Sequence, residues 1–108
     1  MRLRQAAVTT VGVFALLLSA PSPANAASGD FEYKTAAGVG AVLSDPTSGI
    51  CLNLDGATEE SPAHSPRNFT DATATVFLDS DCGGDTYYVM NPGKKLGSRL
   101  KLRSVIFS

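Results

Sequence analysis

The stretch LDSDCGGDTYY, Leu78–Tyr88, sets three aspartates, a cysteine and two glycines between two apolar runs. It reads either as a calcium loop or as the tip of a β-hairpin. An EF-hand loop takes oxygen ligands at its first, third and fifth positions, glycine at the sixth and a bidentate glutamate at the twelfth. Counted from Asp79, Asp81 and Gly84 fit the third and sixth positions, but Gly83 stands at the fifth and Met90 at the twelfth. EF-hand loops are also flanked by helices, and these flanks alternate like strands. In TATVFL, Ala74, Val76 and Leu78 share one face, and Thr73, Thr75 and Phe77 share the other. In TYYVM, Tyr87 and Val89 oppose Tyr88 and Met90, which predicts one tyrosine in the core and one at the surface. The hairpin reading prevails. Tight turns demand Asp and Gly, Gly83 and Gly84 take positive φ at low cost, and the carboxylates keep the tip wet and discourage edge pairing.

The same period recurs outward from the hairpin. RLKLR places Leu100 and Leu102 against Arg99, Lys101 and Arg103, which predicts a strand. In SVIFS the apolar residues become consecutive, as in a strand buried on both faces or one with a bulge near Ser104. GAVL, GICLNL and FEYKT are further short strands, separated by turn signals such as SDPTSG and NPGKKLGS. No segment after the first 26 residues carries sustained helical periodicity. The expectation is an all-β sandwich or barrel. Asp55–Asn68 is the longest irregular stretch and is expected to be a surface loop stiffened by Pro62 and Pro66.

The chain has 108 residues. It opens with a basic MRLRQ, an apolar run from Ala6 to Ala20 and PSPANA, which together form the pattern of a secretory signal peptide cut after Ala26. The expected mature chain, 27–108, is one small β domain, secreted and extracellular, with no membrane association once the leader is gone. Removing Arg2 and Arg4 leaves seven bases against ten acids, a balance that points away from nucleic acid. The distribution is uneven: every acid precedes Pro92, while Lys94, Lys95, Arg99, Lys101 and Arg103 follow it. The basic end is expected beside acidic loops; a patch for an acidic partner is the alternative. The only cysteines, Cys51 and Cys82, read as a disulfide in an exported chain.

Other constellations are poor in chemistry. His64 is the only histidine, and with Glu59 and Glu60 nearby it has no spaced partner of the kind zinc needs. Neither cysteine has a base in sequence reach, so no catalytic residue, metal site or cofactor is expected. NFT at Asn68 fits the N-glycosylation acceptor pattern, and equally a turn before a strand. NPGKKLG lacks the spacing and the helix of a phosphate loop.

TVFLDSDCGGDTYYV followed by NPGKKLGSRLKLRSVIFS resembles one Greek-key motif of the βγ-crystallin superfamily, over about Asn68–Ser108. Phe77 matches the first aromatic of the family's folded hairpin, Gly84 its glycine, and Ser104-Val105 the last-strand pair that packs over it. Cys82 stands where the second aromatic belongs, and a Cys51–Cys82 bond would replace that ring's packing. Tyr33 and Gly40 repeat the spacing upstream, with Gly38 at the second aromatic position. The family's calcium run, set on Ser104, falls on Arg99–Ser104, where both acidic positions are lost and bases enter. The resemblance therefore implies a small Greek-key sandwich without the family's metal site. Some exported members, the streptomycete metallopeptidase inhibitors among them, block peptidases. A non-enzymatic, monomeric binding protein directed at a secreted peptidase is thus the expected function. An extracellular structural or stress protein, or a small toxin, is the alternative. The candidate binding loop comprises Thr58, Glu59, Glu60, Ser61, Pro62, Ala63, His64, Ser65, Pro66 and Arg67.

Overall fold

A computed structural model describes residues 26–108; the expected leader, save Ala26, lies outside the described residues. The described chain is all-β. Its strands are β1 (Gly29–Lys34), β2 (Gly40–Ser44), β3 (Cys51–Asn53), β4 (His64–Thr70), β5 (Ala74–Phe77), β6 (Tyr87–Met90) and β7 (Ser104–Phe107). They form two antiparallel sheets, ordered β2-β1-β4 and β3-β7-β5-β6. β3 belongs to the first half of the chain but pairs in the second sheet, against β7. Reciprocally, Lys95 bridges Arg67 on β4, and Leu96 N–H donates to Pro66 O at 3.0 Å. Each half thus lends a segment to the other's sheet.

Alternation places the core between the sheets. Phe31 and Tyr33 of β1 face Val76, Val105 and Phe107, all buried, and Phe31 meets Phe107 edge-on at 5.4 Å between ring centres. β7 is buried at Ser104, Val105 and Phe107, so the consecutive apolar residues do mark a strand covered on both faces. Asn68 is fully buried, and its amide is fully used. Nδ2 donates to Ala72 O and Met90 O, both at 2.8 Å, and Oδ1 accepts from the N–H and hydroxyl of Thr70. That amide ties β4 to the end of β6 across the sheets. It also removes Asn68 from solvent, so the acceptor pattern is not displayed by the folded chain.

Three expectations are corrected. His64–Asn68, assigned to a surface loop, belongs to strand β4, which runs from His64 to Thr70. Its proline misleads because Ser65 and Pro66 together oppose Tyr33 in a β-bulge, with Ser65 at φ +55°, where no ladder N–H is required of Pro66. RLKLR is not a strand. Leu102 makes one bridge, to Ala63, and Gly97–Leu100 forms a turn. Its alternation reflects Leu102 entering the core and Leu100 packing against it. Finally, Tyr87 and Tyr88 are both exposed, at 56% and 44%, because β6 is an edge strand and neither of its faces is fully covered there.

The opening stretch forms a hairpin between β5 and β6 whose tip folds back as a 3-10 turn, Ser80–Cys82. Asp79, Asp81 and Asp85 are exposed there. The Ser104 hydroxyl accepts from Cys82 N–H at 2.8 Å and donates to Asp79 O, pinning the tip to β7. Cys51 and Cys82 are bonded, so β3 is tied covalently to the same tip. Gly84 has φ +77°, and a Cβ there would overlap the Asp79 carboxylate. Gly84→Ala is expected to destabilise the fold by about 1–3 kcal/mol, read from the urea midpoint. An unchanged midpoint would contradict this account of the hairpin.

Candidate functional site

Of the ten residues expected to form a binding loop, the structure divides them into two groups. Thr58–Pro62 projects from the surface, whereas Ala63 and Pro66 are buried and His64–Arg67 lies in β4. The projecting part is a closed turn. Thr58 and Ser61 exchange backbone hydrogen bonds, at 3.0 and 3.3 Å, and Ser61 N–H also reaches the Thr58 hydroxyl at 3.0 Å. Glu59 and Glu60 sit exposed at its corner.

Both ends of the turn are fixed. On the approach, Leu54 is buried and its N–H donates to Arg103 O at 2.9 Å. The Tyr33 hydroxyl donates to Asp55 O at 2.9 Å, and burial, with the Asp55 carboxylate nearby, pushes the phenol above its ordinary pKa. On the exit, Ala63 and Leu102 exchange hydrogen bonds at 2.8 and 2.9 Å. Between the two ends, Arg103 grips the turn itself. Its Nε donates to Thr58 O at 2.8 Å, Nη2 to Glu59 O at 2.6 Å and Nη1 to Leu78 O at 2.6 Å. One guanidinium therefore fastens the turn to the end of the folded hairpin through charge-assisted bonds.

Arg103 is the residue that sequence reasoning missed as a site element. The sequence carries no signal for it: only the fold brings carbonyls from two distant loops within reach of its guanidinium. The other bases after Pro92 behave differently. Among the described residues the one ion pair joins Arg67 to Glu32 at 3.8 Å, and Lys94, Lys95, Arg99 and Lys101 take part in none. Lys95 lies over the exposed Phe69 ring at 5.8 Å. The basic end thus meets the acidic loop through carbonyls rather than carboxylates.

Beside the turn, Glu60, Pro62, His64, Ser98 and Lys101 line an open depression of about 270 Å³. His64 Nδ1 contacts the Ser65 hydroxyl at 2.8 Å, and among the described residues no carboxylate hydrogen-bonds the ring. The contact joins chain neighbours and lacks the third group that orients a catalytic base. No cluster of three His, Cys, Asp or Glu suited to a metal ion occurs among the described residues. No model of a protein family, curated protein or solved structure matches the chain.

Arg103→Met removes the three donors while keeping much of the stem. It is expected to cost about 2–4 kcal/mol and to open Thr58–Pro62 to limited proteolysis. Equal stability together with an uncut turn would show that Arg103 does not hold it.

Proposed function

We propose that this is an exported, non-enzymatic binding protein of βγ-crystallin architecture that blocks a secreted peptidase with the Thr58–Pro62 turn. The architecture is supported by strand order. β1 to β4 would form one Greek key, and β5, β6, the Lys95 segment and β7 a second, each lending its third segment to the other's sheet. Phe77, Gly84 and Ser104 would take the folded-hairpin positions, a reading supported by the hydrogen bonds of the Ser104 hydroxyl to the tip and by the disulfide at Cys82. The disulfide fits export to an oxidising compartment. Among the described residues no helix is long and apolar enough to cross a membrane.

The observation that carries the binding reading is the grip of Arg103 on the turn. A loop already ordered in the free protein loses little entropy on docking and resists the extended conformation that peptidases cleave. The turn presents Glu59 and Glu60 side by side, so a carboxylate leads into the partner. A metallopeptidase suits it, since its catalytic zinc keeps one coordination position open to an oxygen ligand. Mature protein at micromolar levels, assayed against secreted metallo- and serine peptidases, is expected to inhibit a metallopeptidase. Glu59→Ala with Glu60→Ala is expected to weaken that inhibition at least about tenfold, an energy typical of a central charged contact. Absence of inhibition across the panel would overturn the reading.

A further inference from the structure

The second sheet ends at β6, and the far side of that strand carries no neighbour. The other edges are handled differently. β4 is flanked by Lys94–Leu96, β3 is three residues long and disulfide-tied, and β2 exposes a single large side chain, Val42 at 51%. β6 instead exposes three consecutive large side chains, Tyr87 at 56%, Tyr88 at 44% and Val89 at 53%, with no charge and no proline. Such an edge is a template for a further strand.

We propose that the occupant is a second copy of this chain, joined antiparallel through β6 about a two-fold axis at Tyr88. Outer and inner faces stay continuous only when residues of like parity face each other. Centring on Tyr88 sets Tyr88 opposite Tyr88 of the second copy, and Tyr87 opposite its Val89. These are the aromatic and aromatic–β-branched pairs that favour strand association. Centring on Val89 instead would set Tyr88 opposite Met90 and Tyr87 opposite Asn91, so that neither tyrosine would meet an aromatic or β-branched partner.

Charge favours the same arrangement. Asp85 lies two residues before β6, and Lys94 lies beyond its other end, where its N–H closes the turn onto Asn91 O at 2.9 Å. Both are exposed, and neither is in an ion pair among the described residues. An antiparallel copy brings Asp85 opposite Asn91, beside that turn and its lysine, once at each end of the joint. The operation also covers an open groove of about 270 Å³ that Tyr88, Leu96, Gly97, Arg99 and Leu100 line beside β6. The product is one continuous sheet built from two copies of β3-β7-β5-β6. A four-residue strand makes a small interface, so the dimer dissociates at about 1–100 µM. The proposed dimer departs from the expected monomer and stands apart from the peptidase reading, because mass alone tests it.

Sedimentation equilibrium of mature protein from about 1 µM to about 500 µM, spanning that range, is expected to show conversion of monomer to dimer. Tyr88→Lys places like charges face to face on the axis and is expected to give monomer throughout, with unchanged circular dichroism. Asp85→Lys and Lys94→Asp are each expected to weaken association several-fold, and the two together to restore it. This exchange keeps the test decisive should Tyr88→Lys fold poorly. Wild-type protein that stays monomeric overturns the proposal. So does a dimer that survives Tyr88→Lys, or one lost on Val42→Lys in β2 but indifferent to the charge exchange.

Discussion

A strand of three residues, β3, is far from home in this fold. It leaves the first half of the chain, joins the sheet of the second half, and has one neighbour there, β7. Three residues of ladder do not hold an edge strand in water. Two side chains on one face of β3 secure it. Cys51 is bonded to Cys82, and Asn53 exchanges hydrogen bonds with the backbone and carboxylate of Asp81 at 2.7 and 2.8 Å. Their spacing of two puts both on the side where the folded hairpin lies. The loop-closure estimate for a bridge spanning 31 residues is about 3–4 kcal/mol, a large share of the stability of a domain this size.

Everything near the candidate site follows from that anchorage. The hairpin tip can fold back over β7 because Ser104 offers it both a donor and an acceptor. With the tip in place, Leu78 presents its carbonyl to Arg103, whose remaining donors then reach the turn at Thr58 and Glu59. The backbone that carries the exposed glutamates is thereby held by contacts that start at the disulfide. Asn68 performs the corresponding task between the sheets, binding Met90 from β4. A small core gains its rigidity from such fully satisfied buried polar groups, since each would cost more left unpaired.

Much of this was legible in the sequence, for identifiable reasons. Alternation located β5 and β6, while β2 was read as a short apolar run between turn signals. The cysteine pair followed from its being the only one. The hairpin tip followed from its Asp and Gly residues; Gly84 takes φ +77° as expected, but Gly83 stays at negative φ, and Asp81 and Cys82 adopt positive φ instead. β4 was illegible because Pro66 sits in a bulge, which the sequence of one strand cannot announce without its partner. RLKLR misled because alternation reports burial, and Leu102 reaches the core from a segment with a single bridge. The two tyrosines misled because period two gives faces but not whether a strand is central or at an edge. Arg103 was counted among the basic residues of the C-terminal segment, and only three-dimensional placement shows that its partners are carbonyls from two distant loops.

The most direct measurement is amide hydrogen exchange on a Cys51→Ser, Cys82→Ser variant compared with the oxidised protein. If the exchanged segments and the disulfide make the halves one cooperative unit, protection at Phe31 and Asn68 in the first sheet and at Val76 and Val105 in the second falls together, by the same factor. Protection kept in the first sheet while the second is lost would show that the halves stand alone, and would contradict this account.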